Sequence, residues 1–269
     1  MLKLTVLGCG TSSGVPRLGP DWGDCDPTEP RNRRSRASIV VESPTTRILV
    51  DTGPDLREQL IAARITAIDA VLWTHDHADH CHGLDDLRQL AQMRRKPIKG
   101  YTNRQTLSLL QKRFTYAFEG REYYPPIITA SVLPDRGSTI GDIAVTYVDQ
   151  PHGDIYSLGF RFDHDSNSVG YSTDFHEFTE EMLETFSGID VWVVDALREQ
   201  PHPTHAHLSL TLQAIARARP RRSVLTHMDT SMDYAALASR LPPGVEPGFD
   251  GLTISVGQSS RQGSVTFDE

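Results

Sequence analysis

The stretch WTHDHADHCHG, Trp73 to Gly83, gathers imidazole and carboxylate groups at a density that suits a first-row divalent ion. His75, His77, Asp79 and His80 follow directly on the apolar run DAVLW. A loop leaving a strand end can turn such side chains toward one point, which a straight strand or helix cannot. Single candidates stand where other β-type runs stop: His152 after IAVTYVDQP, Asp174 after SVGYST and His227 after RSVLT. One histidine at a strand end is most often structural. Several such residues beside so dense a loop favour a shared metal centre. Asp51 in LVDTG and Asp195 in VVDALR also close β runs. They suit either partners that orient ligand imidazoles or plain caps and turn residues.

These residues need strands to carry them. Short β-branched runs occur at LKLTVLG, ASIVVES, RILVDTG, DAVLWTH, IAVTYVDQ, YSLGFRF, SVGYSTD, DVWVVDA, RSVLTH and LTISVG. Helical periodicity covers 55–64, 83–95, 103–113, 178–187, 209–218 and 232–241. Early strands cluster and later ones alternate with helices, which predicts a layered α/β protein with mixed sheets. No linker cuts the chain, so one domain over 1–269 is expected.

The opening run TVLGCGTSSGVP, with Gly8, Gly10 and Gly14, nearly spells a dinucleotide-binding fingerprint. That motif requires a helix to open at the turn. Here Val15-Pro16, Gly19-Pro20 and Asp21-Trp22-Gly23 follow, and no helical period begins. The fingerprint fails on context. PRNRRSR, at 30–36, reads either as a solvated loop or as a basic contact. FTYAFEGREYYPP, at 114–126, reads as a helix end packed against the body or against a second subunit.

Composition narrows the classes. The 269 residues are 38% hydrophobic and 23% charged, as in ordinary globular proteins. A net charge of -8 argues against a surface that coats a nucleic-acid duplex. No apolar run approaches the ~20 residues that cross a bilayer, so no membrane partner is expected. MLKLTVLGCG is short and strand-like for a secretory signal, and a cytoplasmic location is expected. Cys9, Cys25 and Cys81 are too far apart for a CxxC cluster and odd in number for a disulfide framework.

His75-x-His77-x-Asp79-His80 with the later His152, Asp174 and His227 resembles the metallo-β-lactamase superfamily, over nearly the whole chain. The resemblance implies a four-layer αββα sandwich of two mixed sheets flanked by helices. It implies two divalent ions, zinc or manganese with iron as an alternative. His75, His77 and His152 would hold the first ion and Asp79, His80 and His227 the second, with Asp174 as bridge. LGCGTSSGVP, DTGPDLR, HDHADHCHGLDDLR and HAHLSL are similar to the phosphodiesterase branch, which includes the cyclic-phosphate enzymes of phosphonate breakdown and the tRNA 3′-processing endonucleases. In that branch Ser12 and Ser13 would lie in the substrate loop. His207 would be the catalytic histidine, with His205 as the alternative, and Asp79 would share in catalysis.

The implied reaction is attack of a metal-held hydroxide on a small phosphodiester, cyclic or nucleotide-like. RNA is the less favoured partner, because no long protruding arm is present. Only Cys25 falls in the region where the phosphonate enzyme has an extra zinc site. A thioester or lactone hydrolase on the same loop is a further alternative, as is a metal-holding protein without catalysis. A homodimer is expected from the same resemblance.

Overall fold

Alternation within the strands determines the layering. In β1 (Leu2–Gly8), β2 (Ser38–Glu42) and β3 (Arg47–Val50), the residues Leu4, Val6, Ile39, Val41, Ile48 and Val50 belong to one buried apolar cluster. Their neighbours Leu7, Val40 and Leu49 belong to another. Successive strand side chains point to opposite faces, so this sheet is covered on both sides. The computed structural model describes residues 1–135 and 137–257.

The remaining elements run α1 (Leu56–Ala62), β4 (Ala70–Leu72), α2 (Ala78–Cys81), α3 (Leu87–Arg94), β5 (Ile98–Thr102), α4 (Arg104–Arg113), α5 (Thr115–Glu119) and β6 (Ile128–Val132). Then follow β7 (Ser138–Ile140), β8 (Ile143–His152), β9 (Ile155–His164), β10 (Asn167–Ser172), α6 (Glu180–Thr185) and β11 (Val191–Asp195). The chain continues through α7 (Leu208–Ala218), β12 (Arg222–Thr226), α8 (Tyr234–Ala238), β13 (Val245–Pro247) and β14 (Thr253–Val256). Two seven-stranded sheets result, in the orders β14-β1-β2-β3-β4-β5-β6 and β13-β12-β11-β10-β9-β8-β7. Each is mixed. Antiparallel pairs join β14, β1, β2 and β3, and parallel pairs join β3 through β6. In the second sheet β7 through β10 are antiparallel and β10 through β13 parallel.

The inner faces meet in a core that includes Leu4, Val6, Ile48, Leu72, Phe160, Phe162 and Tyr171. On the outer face of the first sheet, Leu56, Leu60, Leu84, Leu87 and Leu90 pack over Val40, Leu49 and Val71. On the second, α7 buries Leu208, Thr211, Ala214 and Ala218, the spacing of one helical stripe. This is the αββα sandwich the resemblance implies.

Each helical period read from the sequence is present, with α7 starting one residue earlier and the others shortened, α8 to half of 232–241. The short strands β5, β6, β7 and β13 were not among the runs read there, nor were α2 and α5. Gly100 interrupts the apolar pattern of β5, and a Cβ there would meet the Trp73 ring at 2.6 Å. β7 and β13 have three residues each, too few to show a period.

The arginines of 30–36 divide their work. Arg34 is buried and donates to the carbonyls of Asp229 and Met232 and to Asn32 Oδ1. Arg31 pairs with Glu29, and Arg36 with Asp55. Arg33 is exposed and lies over the Trp22 ring. The segment is therefore chiefly a strut rather than a free basic surface.

Candidate metal centre

Parallel strands gather their loops at their carboxyl ends, where open α/β sheets place ligands. Here both sheets contribute to one edge. β4 leads into Trp73–His80 and β3 into Asp51. β10 leads into Asp174, and β12 into His227, while His152 and Asp195 end β8 and β11 themselves. Three of these residues sit in the left-handed region: Asp51 at φ 65°, Asp174 at φ 58° and His227 at φ 58°. Such backbone costs a non-glycine residue on the order of 1 kcal/mol or more and persists where surrounding contacts hold it.

The structure brings His75, His77, Asp79, His80, His152, Asp174 and His227 into one cluster. The donor atoms of His75, His77 and His152 lie within 4.8 Å of one another, as do those of Asp79, His80 and His227. Asp174 stands between the two groups. Its Oδ2 is 3.1 Å from His80 Nε2 and 3.6 Å from His227 Nε2, while Oδ1 is 3.7 Å from His152 Nε2.

Hydrogen bonds behind the cluster fix which ring nitrogen faces it. Asp51, fully buried, accepts from His80 Nδ1 at 2.8 Å and from Thr74 N at 2.8 Å. The Thr74 hydroxyl donates to Asp51 and so accepts from His75 Nδ1, at 2.9 Å. His152 Nδ1 donates to the Thr204 carbonyl at 2.8 Å. These three imidazoles are left with Nε2 for the centre. His75 Nε2, His80 Nε2 and both nitrogens of His227 are buried without a hydrogen-bond partner.

Orphaned buried nitrogens beside acceptor-only carboxylates are what a divalent cation satisfies, and the mixed nitrogen and oxygen donor set suits zinc, manganese or iron. The residues fit the ion.

The electrostatics agree. Burial alone would raise Asp174, yet the charges of His227 and His80 hold its carboxyl well below the ordinary range. Burial lowers His227, but Asp174 and the Asp79 contact outweigh it and lift it to about 9. His75 shows the opposite balance, driven down by burial and by its neighbour His80. The carboxylates thus create a demand for positive charge, which an ion would meet in place of protons on His80 and His227.

Of the two histidines before α7, His205 reaches the cluster. Its Nδ1 is 3.5 Å from Asp174 Oδ1 and 3.4 Å from Asp195 Oδ2. Asp195 also accepts from the backbone N of Asp174 at 2.9 Å. The chain passes the site at Thr204 and His205 and has turned back along Arg198 by His207. His207 takes the cap position of α7 with no side-chain cap bond and belongs to none of the donor groups. Of the two candidates, His205 is the one that stands at the cluster.

Ser12 and Ser13 are exposed on the turn after Gly10, which bridges to Met228 beside His227. Ser13 lines a groove of about 990 Å³ with Arg33, Ser35 and Arg36. The glycines before them have a packing reason. A Cβ on Gly8 would lie 2.1 Å from the Arg36 carbonyl, and one on Gly10 2.9 Å from that of Arg34. Cys81 is buried and belongs to none of the donor groups; burial lifts its thiol to about 11, too high for a reactive thiolate.

Comparison with known proteins places this geometry. A solved diphosphatase from the PhnP family is 33% identical, with a TM-score of 0.86 over 94% of this chain and 96% of that one. An octanoyltransferase of Porphyromonas gingivalis is 30% identical over 259 residues, 93% of this chain and 51% of that protein. This chain therefore spans about half the length of that relative. Ribonuclease Z of Bradyrhizobium sp. is 29% identical over 142 residues, 49% of this chain and 46% of that protein. The family model for the beta-lactamase superfamily domain matches residues 46–228, from the strand before Asp51 to the residue after His227. The convergence of candidate ligands from strand ends on one edge has its explanation there: the chain belongs to the beta-lactamase superfamily.

Proposed function

We propose that the chain is a metal-dependent phosphodiesterase acting on a small phosphodiester, cyclic or nucleotide-like. The observation that carries this reading is Asp174, which divides its oxygens between two groups of ligands while His205 stands beside it on Asp195. The likeness to the PhnP-family diphosphatase across both chains supports it.

His75, His77 and His152 would hold one ion, Asp79, His80 and His227 another, and Asp174 both. When bound, such ions supply charge for the phosphoryl oxygens and acidify water at neutral pH. Asp51 keeps the His80 ring turned with Nδ1 outward, so its Nε2 stays available. Asp195 holds the Nδ1 side of His205. That leaves His205 Nε2 to hold a proton for the leaving oxygen, a role typically worth 10²–10⁴ in rate. Ser13 and the backbone of the Gly10–Gly14 turn would meet the substrate's flank. A cytoplasmic homodimer belongs to the same reading, with exposed Tyr123 and Tyr124 at its contact surface; light scattering of Tyr123→Ser/Tyr124→Ser checks it.

The test is a turnover comparison on protein loaded with zinc or manganese, using bis(p-nitrophenyl) phosphate against an octanoyl thioester. Phosphodiester cleavage that a chelator abolishes and added metal restores is the expected result. Faster thioester cleavage would overturn it and favour the second reading, an acyl-ester hydrolase, for which the octanoyltransferase relative is the specific support. Processing of tRNA precursors has the ribonuclease Z likeness behind it. Against it stand the net charge of -8, the pairing of Arg31 with Glu29 and of Arg36 with Asp55, and the burial of Arg34.

A further inference from the structure

Asp76 lies between two ligands, His75 and His77, yet it joins none of the donor groups. Its carboxylate Oδ2 accepts from Arg113 Nη2 at 2.8 Å. Its carbonyl accepts from Arg113 Nη1 and from the Cys81 thiol, the latter at 3.2 Å. Arg113 Nη1 also lies 3.2 Å from Cys81 Sγ. One guanidinium therefore touches the ligand loop before His77 and again after His80.

Arg113 ends α4, and α4 contributes no ligand. The helix is fixed independently of the loop. Asn103 caps it by accepting from Thr106 N at 2.8 Å, and Thr106, Leu107 and Leu110 are buried. The next residue, Phe114, meets the His82 ring edge-on, with centroids 5.8 Å apart. A rigid outer element thus reaches over the loop that carries four ligand residues.

We infer that Arg113 is a positioning residue for the metal loop, clasping Asp76 and Cys81 so that His75, His77, Asp79 and His80 are held in register before any ion arrives. A half-exposed Arg–Asp pair alone contributes little. The fork is what matters here, because the two Nη atoms of one planar guanidinium reach a carboxylate, a carbonyl and a thiol together, a fixed spread that a single ammonium nitrogen does not have. Groups behind first ligands typically change metal affinity 10- to 100-fold when removed. The inference rests on the cluster holding metal and not on which ester is cleaved.

The experiment titrates the full chain with Zn²⁺ and, separately, Mn²⁺ against a chromophoric chelator. Arg113→Met should bind about 10- to 100-fold more weakly than wild type, with the metal-free melting curve and far-UV spectrum unchanged. Arg113→Lys should recover only part of the loss. Asp76→Asn should weaken binding too, and the double variant should lose less than the product of the two. Wild-type affinity in Arg113→Met overturns the inference, as does a loss that merely follows a lowered melting temperature. Should Arg113→Met not fold, Asp76→Asn carries the same comparison. A wild-type chain that binds neither ion removes the metal reading itself, and this inference with it.

Discussion

The two halves of the molecule furnish the centre in different ways. The first sheet delivers His75, His77, Asp79 and His80 from one loop after β4, where Asp51 and Arg113 brace it from two sides. The second sheet delivers His152, Asp174 and His227 from three separate strand ends, and His205 from the segment between β11 and α7. In the first half, local sequence does the gathering, and a short braced loop suffices. In the second, only the packing of β8, β10, β11 and β12 brings the donors together. Damage to the loop should therefore act on ion affinity, whereas among the dispersed residues damage to His152 or His227 should act on affinity and damage to His205 on turnover.

Asp174 is where that division should break down, since it belongs to both groups. Asp174→Ala should lose bound metal on elemental analysis, and phosphodiester turnover should fall by about 10³-fold or more, the scale of a lost charge-stabilising group. A variant that keeps full metal content would remove Asp174 from its place between the groups. His205 offers the sharper contrast. His205→Ala should retain metal while kcat falls ~10²–10⁴-fold, and His207→Ala should stay within a few-fold of wild type. Equal losses in the two variants would return the assignment to an open choice.

That pair of histidines also marks where sequence becomes insufficient. HAHLSL offers two candidates two residues apart, and spacing cannot say at which one the chain leaves the sheet edge. The hydrogen bond from His152 to the Thr204 carbonyl decides it, a contact between residues 52 positions apart. The loop at 75–80 was legible as part of the cluster because its candidate ligands are neighbours. His152, Asp174 and His227 were legible because each ends a recognisable β run. Long strands and amphipathic helices announced a layered α/β protein with mixed sheets, and the family resemblance supplied the sandwich, whereas three-residue strands such as β7 carry no period at all. Arg113 had no signal. It is an ordinary basic residue at a helix C-terminus, a place where helix dipoles favour such residues anyway. The glycines of the first loop were legible as a constraint but not as to cause, since the Arg36 carbonyl that crowds Gly8 lies far along the chain.

The braces allow a finer comparison. Asp51 and Asp195 are both buried strand-end carboxylates, but Asp51 grips a ligand ring at 2.8 Å while Asp195 holds the Asp174 backbone and His205. Asp51→Asn should weaken metal binding about 10- to 100-fold in a chelator competition. Asp195→Asn should leave affinity nearer wild type and lower kcat instead. If both variants lost affinity alike, the two halves would not differ in the way proposed.

A stability effect lies at the seam where the chain closes on its first strand. Asp250, just before β14, accepts from the backbone N and the thiol of Cys9 and from the backbone N and the hydroxyl of Ser35. Burial outweighs these bonds and lifts its carboxyl to about 6, from an ordinary 3.8. The folded state thus holds the proton more firmly than the unfolded chain. Asp250's contribution to stability is full below about pH 4 and falls as pH rises through about 6. Between those limits wild type should lose about 3 kcal/mol relative to Asp250→Asn, measured by urea unfolding at several pH values. Absolute stabilities will differ as well, because the amide nitrogen of asparagine cannot accept from Ser35. The informative quantity is therefore the difference in slope with pH. Parallel slopes would mean that the seam is already ionised across this range, and that its four donors outweigh the burial.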